Sequence, residues 1–133
     1  MVSVTVKPLV QWTGNFERDL EEIESFLISA DASQAFDALL DELSDTVILN
    51  LETFPKLGRL FFERSVGSVE ARHSLMRLTQ QLSAIGQGVE LREYVMTHYL
   101  VLYARTNEVV YLLSIRHQKQ LSFDFDALWP SRR

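Results

Sequence analysis

The sequence predicts an α+β domain, an N-terminal strand and a helical hairpin packed on an antiparallel sheet, and three observations predict it. Residues 15–55 carry two runs of apolar residues at helical spacing. Glu90 to Arg105 and Glu108 to His117 are rich in Val, Tyr and Leu, the composition of strands. The length of 133 residues suits one core, so residues 1–133 are read as one domain.

Each element has its own signal. Val2-Ser3-Val4-Thr5-Val6-Lys7 alternates β-branched and polar residues, which predicts a strand with one buried face. Gly14-Asn15 breaks that pattern, and Phe16, Leu20, Ile23 and Leu27 follow at helical spacing, with Phe26 widening the stripe. Asn15 is the expected N-cap, with Glu17 and Asp19 in the positive first turn. A second helix starts after Asp31 or at Ser33. Its apolar positions Ala35, Phe36, Leu39, Leu40, Leu43, Val47 and Leu51 keep one face until Pro55. So short a connection makes the two helices antiparallel neighbours.

Phe54-Pro55-Lys56-Leu57-Gly58-Arg59 is a turn, because proline fixes φ and glycine tolerates positive φ. Within residues 61–89, a third helix is expected from about Val69 to Ile85, through Leu75, Leu78 and Leu82. The Glu90 to Arg105 and Glu108 to His117 stretches then form a hairpin around Arg105-Thr106-Asn107-Glu108. Simple alternation puts Val109, Tyr111, Leu113, Ile115 and His117 on one face, and Val110, Leu112, Ser114 and Arg116 on the other. Residues 121–129 alternate through Phe123 and Phe125 and form an edge strand or a clasp.

Composition narrows the function. No apolar run approaches the roughly 20 residues of a membrane span. Met1 to Val10 has no signal-peptide pattern, so the expected location is the cytoplasm. With no cysteine, disulfides, cysteine-ligated zinc and thiol nucleophiles are excluded. His73, His98 and His117, with Asp124 and Asp126, have no ligand spacing, and Gly86-Gln87-Gly88 is not a phosphate loop. Neither a metal nor any other cofactor is expected.

The net charge of −5 conceals an asymmetry. Residues 1–55 carry eleven acids against Lys7 and Arg18, or −9, while residues 56–133 carry seven acids against eleven bases, or +4. An anionic partner therefore fits the second half. The acid run Glu17, Asp19, Glu21, Glu22 and Glu24 is read as a solvated helix face. Tyr94, Tyr99, Tyr103, Tyr111, Phe123, Phe125 and Trp129 can stack bases, but core packing accounts for them better than a general RNA-binding module does.

Three segments in this order carry a resemblance that covers most of the chain. They are Ala35 to Leu51 running into Phe54-Pro55-Lys56-Leu57-Gly58-Arg59, then Leu91-Arg92-Glu93-Tyr94 leading into Tyr99-Leu100-Val101-Leu102-Tyr103, and finally Val109 through Ile115-Arg116-His117. Together they resemble the RelE/ParE toxins of bacterial type II toxin–antitoxin pairs, a family linked to plasmid stabilisation. Residues 61–89 depart from the family as an insertion.

The resemblance implies a cognate antitoxin as partner, with an oligomer possible through it, and one of two targets. ParE-like toxins inhibit DNA gyrase by a protein contact. RelE-like toxins cleave messenger RNA on the ribosome with Arg, Lys, His or Tyr side chains displayed on the sheet. Leu100 and Gln118 stand where the RelE-like pattern has arginines, which favours gyrase. Ribosome-dependent mRNA cleavage is the alternative, and a non-toxic binding module of the same fold is the third reading. The residues available for catalysis are Arg92, Arg116, His117 and Lys119. Those available for partner binding are Arg59, Arg92 and Arg116. On a regular strand Arg116 and His117 point to opposite faces. For Arg92 the plainer role is a surface salt bridge, worth about 0–1 kcal/mol.

Overall fold

The computed structural model describes residues 8–60, 80, 89–106 and 108–119. The strand expected at Val2 to Lys7, the helix at 69–85 and the edge strand at 121–129 lie outside those residues, residue 80 excepted. Strand β1 (Leu9–Trp12) leads into α1 (Gly14–Ser29) and α2 (Ser33–Glu42). A π-helical stretch, Leu43–Val47, joins α2 to α3 (Ile48–Thr53). Four strands follow: β2 (Arg59–Leu60), β3 (Glu90–Val95), β4 (Tyr99–Arg105) and β5 (Val109–His117).

The strands form one mixed sheet in the order β1-β5-β4-β3-β2. Strands β2 to β5 pair antiparallel, as expected, whereas β1 runs parallel to β5. The fold is α+β.

Thr13, not Asn15, caps α1. Its Oγ1 accepts the Phe16 N–H at 3.3 Å, while its own N–H and hydroxyl both donate to the Leu112 carbonyl. One residue thus ends the parallel ladder and starts the helix. The α1–α2 turn is closed by Asp31 N–H to Ile28 O at 3.0 Å and Ala32 N–H to Leu27 O at 2.7 Å, with Asp31 at φ 57°. That is a Schellman arrangement, which reverses the chain in three residues.

The second helical segment keeps its apolar face by changing its winding. Leu39, Leu43, Val47 and Leu51 recur every four residues. On a continuous α-helix the twelve steps from Leu39 to Leu51 would drift by about 120°. The π-helical stretch absorbs most of that drift, and all four side chains are buried. They pack with Phe16, Leu20 and Phe36 against Tyr94, Met96, Val101, Tyr103, Val110, Leu112 and Ile115 of the sheet. Phe26 does not widen the stripe: it is 70% exposed, and Ala35 is exposed as well.

A β-bulge corrects the face assignment on β5. Tyr103 pairs with Leu112 but Leu102 pairs with Ser114, so Leu113 is the extra residue. The helix-facing set is therefore Val110, Leu112 and Ile115 rather than every second residue from Val109. The other face is also buried, at Leu91, Leu100, Leu102 and Ala104. The stretch from Glu90 to Arg105 is itself a hairpin, turning at Met96-Thr97-His98.

Helix α1 covers the edge of β5 beyond the end of β1. Asn15 Nδ2 donates to the bulge carbonyl of Leu113 at 2.9 Å. Asp19 Oδ2 accepts the Ile115 N–H at 3.0 Å and the Ser114 hydroxyl at 2.7 Å. These side chains satisfy backbone groups that a longer β1 would have paired. Asp19 is thus not part of the solvated acid face, though Glu17, Glu21, Glu22 and Glu24 are.

Candidate functional site

The residues singled out for function lie in two separate regions of the sheet. The first is the corner where the Phe54-to-Gly58 turn meets β2 and β3. Gly58 is buried there, and its N–H donates to the Tyr103 hydroxyl at 2.9 Å. The same hydroxyl donates to the Pro55 carbonyl at 2.9 Å. A Cβ on Gly58 would lie 2.6 Å from the Glu93 carbonyl oxygen and 2.7 Å from the Tyr103 hydroxyl. Only glycine allows so close an approach.

Arginines fill this corner. Arg59 on β2 lies across from Glu93 on β3, and its Nη2 and Nε reach Glu93 Oε1 at 2.8 and 3.0 Å. Its side chain is 58% exposed, whereas that of Glu93 is fully buried. Arg92 Nε donates to Glu90 Oε1 at 3.0 Å, and Arg92 Nη1 donates to the carbonyls of Lys56 and Gly58. With 12% of its side chain exposed, Arg92 fastens the turn to the sheet. Arg105 Nη1 meets the same Glu90 oxygen at 2.7 Å. Desolvation acts to raise the Glu90 pKa, but the hydrogen bonds from Arg105 and Arg92 and their charges outweigh it and hold the carboxyl below its usual range.

The second region is the end of β5. His117 lies opposite Tyr99 on the helix-facing side of the sheet, the two rings edge to face at 5.3 Å. His117 Nδ1 accepts the Lys119 N–H at 3.1 Å, so one ring nitrogen holds the turn that follows β5. Lys119 is exposed. Gln118 donates from Nε2 to the Met96 carbonyl at 2.7 Å and from its N–H to the His98 carbonyl at 3.0 Å, tying the β5 end to the β3–β4 turn.

Arg116 pairs with Leu100 and is 6% exposed, on the sheet face opposite His117. Arg92 lies across from Tyr103, four residues along β4 from the Tyr99 that pairs with His117. That separation is about 13 Å along the strand. The geometry therefore places Arg59 and Arg92 at one corner but on opposite faces of the sheet, since Arg59 pairs with Glu93, the β3 neighbour of Arg92, and it places His117 and Lys119 at the opposite end, with Arg116 on the face opposite His117.

Glu90, Glu93 and Arg105 were missed as members of the first corner. Glu90 and Arg92 are two apart on one strand and so share a face, and the hairpin register sets Arg105 directly across from Glu90. An alternation count alone does not reveal that register.

On the other side of the molecule, β1 is an edge strand beside an open groove. Val10, Gln11, Trp12, Ile48 and Leu112 line it, enclosing about 420 Å³. Trp12 stacks on Phe16 at 5.7 Å yet remains 46% exposed. Among the described residues, no group of three His, Asp or Glu side chains could hold a metal ion, and no helix is long and apolar enough to cross a membrane. His73, Asp124 and Asp126 lie outside those residues.

No curated protein matches the chain. A family model described as "ParE toxin of type II toxin-antitoxin system, parDE" matches residues 10–122.

Proposed function

The chain belongs to the ParE toxin family of type II toxin–antitoxin systems, which implies an antitoxin partner, and from this premise we propose that it inhibits DNA gyrase through a protein contact and is neutralised by its cognate antitoxin. The observation that carries the choice of target is the dispersal of Arg92, Arg116 and His117 among the described residues. Cleaving RNA needs a base at a 2′-hydroxyl and cations at the phosphate within one substrate's reach. Here Arg92 is held by Glu90 and two turn carbonyls, Arg116 lies on the face opposite His117, and His117 is about 13 Å along the strand from Arg92. A contact inhibitor requires no such convergence; it requires a surface with a few anchoring residues.

The test pairs two readouts. Purified protein is added to a gyrase supercoiling reaction, and translated messages are mapped by primer extension after induction in cells. The expected result is loss of supercoiling, largely retained in His117→Ala and His117→Gln. Codon-positioned cuts that vanish in Arg116→Ala or His117→Ala, with supercoiling untouched, overturn the proposal in favour of the ribonuclease.

One observation favours that second reading. Tyr99 and His117 are neighbours beside an exposed Lys119, three side-chain types that RNA cleavage can use. The same mapping with Tyr99→Phe and Lys119→Ala separates the two readings.

A further inference from the structure

Among the described residues, the group formed by Glu90, Arg92 and Arg105 carries two positive charges on one carboxylate. Glu90 Oε1 receives Arg92 Nε at 3.0 Å and Arg105 Nη1 at 2.7 Å, so one carboxylate serves two guanidinium groups. Arg92 places its further hydrogen bonds on the Lys56 and Gly58 carbonyls. Arg105 does not: its side chain is only 10% exposed, and its Nε is buried with no hydrogen-bond partner among the described residues. Buried donors are nearly always paired, and a charged one left unpaired is costly. Arg92, which shares Glu90 with Arg105, also holds the turn that leaves two large apolar side chains uncovered, Phe54 at 61% and Leu57 at 52% exposure. An excess cation linked in this way to exposed apolar surface matches a ligand that is both acidic and apolar.

We propose that this corner is a docking point for an acidic, apolar-containing segment of the partner antitoxin. A carboxylate of that segment is received by the guanidinium of Arg105, and its apolar side chains cover Phe54 and Leu57. This inference rests on the toxin–antitoxin pairing of the preceding section and adds the place of contact.

Charge complementarity selects the occupant. A single carboxylate supplies the one negative charge that the Glu90, Arg92 and Arg105 group lacks. A nucleic acid would bring many phosphates toward a chain of net charge −5 whose first 55 residues hold eleven acids. A second copy of this chain is the competing occupant, since α1 is acidic and exposes Phe26 and Ile28.

The test observes the arginine directly. The guanidinium Nε–H signals of ¹⁵N-labelled protein are recorded, with Arg105 assigned by its loss in Arg105→Lys. The protein is titrated with acetate, with inorganic phosphate, and with the small protein encoded by the adjacent reading frame. Acetate and the adjacent protein are each expected to shift the Arg105 signal, with Arg92 moving less because it already holds Glu90. Arg105→Lys and Leu57→Ser are each expected to weaken binding of the adjacent protein about tenfold or more. Leu57→Ser alters an exposed position, so its melting temperature should match wild type and keep the result independent of folding.

An Arg105 signal unmoved by both acetate and the adjacent protein overturns the docking point, as does a shift with phosphate alone. A shift that grows with protein concentration in the absence of ligand, and disappears in Phe26→Ser, assigns the corner to a second copy instead. If the adjacent protein binds wild type, Arg105→Lys and Leu57→Ser alike, the docking point fails and the pairing stands. If it does not bind wild type, the pairing fails and takes the docking point with it.

Discussion

The hydroxyl of Tyr103 joins β4 to the turn before β2, accepting the buried Gly58 N–H and donating to the Pro55 carbonyl, each at 2.9 Å. Tyr103 is fully buried, and burial raises its phenol pKa despite the hydrogen bond from Gly58. This one contact sets the position of the turn whose carbonyls Arg92 also holds. Tyr103→Phe keeps the ring but leaves the Gly58 N–H without a partner, and should cost about 1–3 kcal/mol in urea denaturation.

Gly58→Ala should be among the more damaging small changes in the chain. The added methyl would meet the Glu93 carbonyl oxygen and the Tyr103 ring together, with no flexible side chain to move aside. A loss of about 1–3 kcal/mol is expected. Gly14→Ala is the control: its Cβ would meet only the end of Arg18, at 3.8 Å, so the melting temperature should hold or rise.

Asp19 gives a pH signature. Desolvation raises its pKa above the usual carboxylate range, against the opposing hydrogen bonds from Ser114 and Ile115. Its folded-state pKa thus exceeds the unfolded one, and between the two the native state binds more protons. The contribution of this group to stability is therefore greatest below the unfolded pKa and falls as pH rises through the folded one. Asp19→Asn keeps an acceptor for the Ile115 N–H and should flatten this part of the stability profile measured across the acidic range. Asp19→Ala should cost about 1–3 kcal/mol, because the backbone donor loses its partner.

Leu112→Ala should cost about 2–5 kcal/mol by thermal or urea unfolding, through lost burial and the cavity left behind. Leu112 is completely buried in the core between β5 and the helices, as is Val110. Tyr111, whose side chain lies on the other face and is partly exposed, should tolerate replacement by threonine with a smaller loss.

Much of the candidate site was legible one residue at a time but not as an arrangement. Arg92 and Arg59 stood out as cations near a turn, and both are at that turn. Their partners Glu90 and Glu93 and the second guanidinium of Arg105 follow only from how β2, β3 and β4 are set against one another. Asp19 shows the same limit: within its own helix it is one acid among five, and its role depends on Ser114, 95 residues away.

The amino-acid sequence by itself determined the helical faces carried by Phe16 and Leu20 and by Phe36 to Leu51, the turn at Phe54 to Gly58, and the strand character of Glu90 to His117. These are local properties, written in periods of 3.6 and 2 and in the conformational limits of proline and glycine. Tertiary structure alone decided that β1 lies parallel beside β5, that Leu113 bulges and exchanges the faces of the residues on either side of it, and that His117 rather than Arg116 shares the helix-facing side with Val110 and Leu112. A bulge or a strand register depends on which distant backbone groups pair, here with Asn15 taking the Leu113 carbonyl from 98 residues away, and no local pattern specifies that choice.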